Sequence, residues 1–384
     1  MNQVVSLVLS PPLLLATDGS SGARFAQQMV RPIAQVLQKQ QDPADPNLLT
    51  VITVQPRSPK SAKRLNKKAK LLPGSSSSAG TSEAEIISLE QPNGVPTTAQ
   101  SGQQIPSPDR LLAQVQADFP TNFPIKLEIR QGRPATEILN CARSLQAGLI
   151  AVGHRGSGGV RELLLGSVST AIARYAPCSV LVARSTPASA IEPSLRHVLL
   201  VVDGSPATQP AIATVQQLLS GGIQQITLLY IQSPLNANYF FAPFVSSTPN
   251  WQLNQSLKDA QREQSEQILQ PAKTAFNDLG IVVQSRVQSG DPGPVICHVA
   301  QELGVNLVIL GSDPTRRSLL PQLPVRRPGR RNNKPQTETR AVLRNTRLSP
   351  TEDYIIHYAP CPVLLCRSFH SEPQHQDSET PDLS

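Results

Sequence analysis

The chain has 384 residues, 39% of them hydrophobic and 16% charged, with 36 prolines and a formal net charge of +8. That length accommodates two domains of ordinary size plus irregular segments, and the apolar content excludes a wholly disordered chain; no apolar run reaches the length of a membrane span. The five cysteines (Cys141, Cys178, Cys297, Cys361 and Cys366) are odd in number and show no C-x-x-C spacing, which argues against a disulfide framework or a zinc ribbon and for a reducing, cytoplasmic setting.

Taken in order, Val4 to Ala16 is apolar, lacks a basic head and runs into Asp18-Gly19-Ser20, so it reads as a short leader and a first strand rather than a signal peptide. Leu49 to Val54 reads as a second strand. Residues 57–106 follow, with a Ser75-Ser76-Ser77-Ser78 run, many prolines and a basic head. Residues 57–70 hold seven bases and no acid. Such a segment cannot bury enough surface to offset the entropy of ordering it, and an irregular insertion is expected. Glu137 to Gln146 has helical spacing of apolar residues. Gly148 to Val152 is another continuous apolar strand, and it enters V-G-H-R-G-S-G-G-V-R-E-L-L-L-G-S over residues 152–167. A strand running into a glycine-rich turn and a helix start is a place where backbone N–H groups can converge on phosphate, with Ser167 expected as the helix N-cap. Val180 to Ala183 ends this half.

The second half repeats the first. Leu13–Ser20 recurs at Leu199–Ser205, Leu49–Val54 at Thr227–Ile231, Gln131–Pro134 at Ser289–Pro292, Leu149–Gly153 at Leu307–Gly311 and Tyr175–Cys178 at Tyr358–Cys361. Asp18 and Asp203 are 185 residues apart, Gly153 and Gly311 158, and Tyr175 and Tyr358 183. Each repeat is therefore interrupted once at a different place, the second at about 314–348. Residues 316–347 hold ten bases and a single acid, Glu338. The two basic stretches outweigh the charge of the whole chain, so the remainder is net acidic and the basicity belongs to the insertions. The division expected is a first domain over 1–186, a second over 195–368 and a loose tail over 369–384.

Continuous apolar strands alternating with helices predict two doubly wound, Rossmann-like parallel α/β sheets in tandem. Ligands in such sheets bind at the carboxyl ends of the strands, where the strand order reverses. Asp18, Val54 and Gly153 each lie at such an end and are expected to meet. A carboxylate there suits a ribose or adenine donor and would repel a triphosphate, which belongs instead at the glycine turn and helix start.

The spacing G-x2-G-x9-G-[S/T], met by Gly153, Gly156, Gly166 and Ser167, resembles the ATP-binding signature of the universal stress protein family, within the adenine-nucleotide alpha-hydrolase-like group. The resemblance covers both repeats. It implies that Asp18 binds the adenosine portion, that Ala16 and Val54 frame the adenine, and that Val152 and Gly153 approach the ribose and phosphates. Gly156, Gly166, Ser167 and Val168 would form the phosphate cradle, and Arg155 would add charge; His154 is expected to face solvent. The ligand implied is ATP, with Mg2+ carried by its phosphates. It also implies that the final strands, Val180–Ala183 and Val363–Cys366, pair between the repeats, with homodimerisation as a further option.

The second repeat departs from this pattern. Pro314 replaces Gly156, and Ser349 and Pro350 stand where Gly166 and Ser167 do. Proline has no N–H to donate. One ATP is expected per chain, in the first repeat, with the second structural or regulatory. His197, His298 and His357 fall in separate elements, which argues against a metal site. Trp251, Tyr239, Phe240, Phe241 and Phe244 are expected in an irregular connection that folds onto the sheet. No nucleophile–base pair is visible, so the leading function is a stress or signalling protein that binds ATP without strong catalysis. A slow ATP hydrolase or adenylating enzyme, and a scaffold that makes weak polyanion contacts through the basic insertions, remain the alternatives.

Overall fold

A computed structural model describes residues 9–40, 48–55, 107–120, 123–154, 165–184, 193–232, 251–277, 279–313 and 348–367. Arg155, Gly156, Pro314, the aromatic residues at 239–244, and all but Leu348 of the two expected insertions lie outside the described residues. So does the tail. Leu348 is buried in the core rather than part of an insertion.

The first repeat runs β1 (Leu13–Ala16), α1 (Ser21–Gln40), β2 (Leu49–Gln55), α2 (Pro108–Ala117), β3 (Ile125–Gln131), α3 (Pro134–Leu145), β4 (Leu149–Gly153), α4 (Ser167–Tyr175) and β5 (Ser179–Ala183). The second runs β6 (His197–Val201), α5 (Thr208–Leu218), β7 (Gln225–Gln232), α6 (Trp251–Ala275), β8 (Val282–Ser289), α7 (Pro292–Leu303), β9 (Leu307–Gly311), α8 (Pro350–Tyr358) and β10 (Val363–Cys366). Trp251 therefore begins a helix and does not sit in an irregular connection. Residues 251–275 hold no glycine and are rich in Gln, Leu, Lys, Glu and Ala, which favour helix; Pro271 is the one proline.

The ten strands among the described residues form one sheet in the order β3-β2-β1-β4-β5-β10-β9-β6-β7-β8. Within each repeat the pairing is parallel. β1 lies between β2 and β4, with Ala16 opposite Ile52 and Leu13 opposite Leu149, so the strand order reverses at β1. The repeats join through their final strands, as expected: β5 and β10 pair antiparallel, with Val182 opposite Val363 and Leu181 opposite Leu364. Each final strand thereby loses its exposed edge.

Side chains alternate across the sheet and feed two cores, each continuous through both repeats. Leu13, Leu15 and Ala151 belong to the core that holds residues of α1, α2, α5 and α6; Leu14, Ile150 and Val152 belong to the core that holds residues of α3, α4, α7 and α8. The four central strands of each repeat are covered on both sides, which explains their unbroken apolar runs. Cys366 packs in the first core and Cys361 in the second, both as small apolar side chains. Burial pushes both thiols up to about 12.

Candidate functional site

The carboxyl ends of β1, β2 and β4 come together in the first repeat. Thr17 continues the β1 ladder by donating its N–H to Ile52 O at 2.9 Å. The chain then turns on Gly19, whose φ of +77° is open to glycine at little cost, and Gly204 makes the same turn with φ +73°. Asp18 is exposed at this turn, and its Oδ1 accepts the Ser20 N–H at 3.0 Å. Ala16, Val54 and Val168 are half-buried and pack on one core, that of α3 and α4, so all three lie on the same side of the sheet.

Gly153 ends β4. A Cβ there would lie 2.4 Å from the carbonyl carbon of Gly22, at the start of α1. Gly311, its counterpart, would meet Ala207 O at 1.8 Å. The glycine is thus required by close helix–strand packing in both repeats, whatever binds nearby. Val152 is buried in the core below.

Beyond β4, His154 is 5% exposed. The expectation that it faces solvent does not hold, because its backbone continues the ladder: His154 N–H donates to Ala183 O at 2.7 Å. Its carbonyl accepts the Gly166 N–H at 2.9 Å, which fixes the start of α4 against the end of β4. Ser169 tightens the same junction by donating its hydroxyl to Gly153 O at 2.5 Å. The N-cap of α4 is Gly166, with φ −64° and ψ 148°, and Ser167 is the first helical residue, so the helix begins one residue earlier than expected. Gly166 has no side chain with which to cap the helix. The first-turn N–H groups of a helix have no intrahelical acceptor, and Ser167 and Val168 supply two of them here. Ser167 is exposed, and no acidic residue occupies the first turn.

The same station in the second repeat is closed. Ser349 is the N-cap of α8 and accepts the Glu352 N–H at 3.2 Å, while Glu352 Oε2 accepts the Ser349 N–H at 2.5 Å. This capping box uses the helix start for the chain's own side chains, and Glu352 and Asp353 place two carboxylates in the first turn. Burial pushes the Glu352 carboxyl up, against the opposing pull of the Ser349 N–H, Ser312 and Arg367. Asp203 is also engaged: one oxygen accepts from Ser205 N–H at 2.9 Å, Ser205 Oγ at 2.6 Å and Thr208 Oγ1 at 2.7 Å.

The Universal stress protein family model matches residues 11–184 and again 194–327. The chain belongs to the universal stress protein family. It is 47% identical over 53 residues to universal stress protein YxiE of Bacillus subtilis, covering 14% of this chain and 36% of that protein. It is 50% identical over 54 residues to a universal stress protein of Thermus aquaticus, covering 14% and 39%. These matches span little more than a third of the relatives' length. The crystal structure of a universal stress protein from Archaeoglobus fulgidus superposes with a TM-score of 0.51 at 15% identity, covering 93% of this chain and 96% of that one, and so shares the fold.

Two residues were not singled out from the sequence. Arg184 and Arg367 each follow a final strand, 183 residues apart, the same offset as Tyr175 and Tyr358. That offset was the signal available. Among the described residues no group of three or more His, Cys, Asp or Glu could hold a metal, and no helix is long and apolar enough to cross a membrane.

Proposed function

We propose that the first repeat of this universal stress protein binds ATP and that the chain acts in stress signalling through that bound state, without appreciable turnover. The observation that carries this reading is the amino end of α4 beside the switch point, which has no side-chain cap among the described residues, set against the capped and acidic amino end of α8. In this reading Ala16 and Val54 frame the adenine, Asp18 accepts from the ribose, and Val152 and Gly153 supply backbone alongside the sugar. Ser167 and Val168 hold the phosphates by backbone N–H groups and the Ser167 hydroxyl, assisted by the helix dipole, and Gly166, whose own N–H is taken by His154 O, admits them by having no side chain. Gly156 and Arg155 complete the cradle on sequence grounds. The fit is chemical: half-buried apolar side chains suit a base, and helix-start N–H groups without a side-chain cap suit an anion. Mg2+ would enter on the phosphates, which supply its hard oxygen ligands.

The basic stretches at 57–70 and 316–347 contain no aromatic residue. Any nucleic-acid contact they make is read as phosphate contact alone, weak and salt-sensitive. Mass spectrometry of gently purified protein tests the main reading. Co-purifying ATP supports it. Released ADP or AMP favours a slow hydrolase, and an empty protein that binds polyanions at low salt favours a scaffold.

A further inference from the structure

Arg367 is among the largest fully buried side chains, 1% exposed, and follows the final strand of the second repeat. A buried guanidinium needs acceptors for its planar fork. Two of them belong to the other repeat: Nη2 donates to Ala173 O at 2.5 Å and Nη1 to Ala176 O at 2.8 Å, at the carboxyl end of α4. Nε donates to Ser312 Oγ at 3.2 Å, and the backbone N–H to Ser179 Oγ at 3.1 Å. The arrangement is reciprocal, since Arg184 Nη1 donates to His357 O at 2.6 Å, at the carboxyl end of α8. Each repeat thus caps the last helix of the other. The two helices are further tied by Arg174 and Asp353, 2.9 Å apart.

The reciprocity has unequal consequences. α8 has an amino end closed by Ser349 and Glu352. The amino end of α4, at the first repeat's site, has no side-chain cap among the described residues, and its nine residues span only about 13 Å. In so short a helix, the carbonyls held at one end govern the placement of the N–H groups at the other. A cation at the carboxyl end also aligns with the dipole that attracts anions to the amino end.

We infer that Arg367 of the second repeat is a positioning residue for the phosphate end of the first repeat's nucleotide site, acting through α4. This rests on the ATP reading above and gives the second repeat a role in binding although its own helix start is closed. The test uses the full chain and calorimetry with ATP and, separately, adenosine. Arg367→Lys keeps the charge but loses the fork; it should weaken ATP by about tenfold and leave adenosine within about twofold. Arg184→Lys, the same change at the related position, should alter neither. Should Arg367→Lys fail to fold, Ser312→Ala removes one anchor of the guanidinium and should weaken ATP alone by about threefold. Unchanged ATP affinity in the folded variant, equal weakening of ATP and adenosine, or an equal effect from Arg184→Lys overturns the inference. A wild-type chain that binds neither ligand instead overturns the nucleotide reading itself, and the inference with it.

Discussion

Gly166 and Ser349 occupy the same station, the N-cap of the last helix in each repeat, and only Ser349 closes a capping box. The consequence is a stoichiometry. Anions favour an open helix start and are repelled by one that already carries Glu352 and Asp353. Titration of the full chain with Mg-ATP should give one site per chain. A value near two would show that the second repeat binds despite its capped helix.

A carboxylate placed at the first of these stations should separate stability from binding. Gly166 already has N-cap backbone geometry, so Gly166→Asp should cap α4 and hold or raise stability by about 0.5 kcal/mol. The same carboxylate would sit where the phosphates are proposed to bind, and ATP affinity should fall by at least about tenfold. Thermal unfolding without nucleotide and calorimetry with ATP read the two effects separately. Undiminished affinity in the capped variant would place the phosphates elsewhere.

The covered parallel strands were legible from local pattern, and the joining of the repeats from exposed final edges together with the family resemblance. Unbroken runs such as Leu149–Val152 announce strands covered on both faces, and a last strand such as Val363–Cys366 announces an edge that needs a partner. The station of Gly166 was legible from its spacing, but the cap itself fell one residue away from Ser167, because backbone geometry and not residue type decides where a helix begins. His154 and Gly153 were not legible in detail. Their environments are set by Ala183 and Gly22, which are remote in sequence. Arg367 was missed for the same reason: its acceptors, Ala173 and Ala176, lie almost half the chain away and offer only carbonyls, which no side-chain pattern marks.

Gly153 provides a test of packing against ligand approach. A Cβ at 2.4 Å from Gly22 meets backbone, which cannot move aside like the end of a side chain. Gly153→Ala should therefore destabilise the chain by about 1–3 kcal/mol without any nucleotide present, and Gly311→Ala should do likewise in the second repeat. Denaturant midpoints check both. A Gly153→Ala protein with wild-type stability and no ATP binding would assign the glycine to the ligand instead.

His197 sets a pH dependence on the second repeat. It lies on β6, its N–H donates to Asn306 Oδ1 at 3.0 Å, and its ring Nε2 is 2.9 Å from Thr227 Oγ1 on β7. Burial holds its pKa below the ordinary 6.5, since charging the ring there costs solvation. Below 6.5 the unfolded chain takes up a proton that the folded chain resists. The stability that the neutral ring confers is thus complete above the unfolded pKa and is lost as pH falls through the folded one. In His197→Gln that titration is gone while the amide can still reach Thr227. The unfolding midpoint of the wild type, measured against this variant, should drop between about pH 7.5 and about pH 5.5, a difference that cancels the titrations common to both proteins. A constant difference across that range, or one that favours the wild type at the acid end, would show that the ring accepts its proton in the folded state as readily as in the unfolded chain.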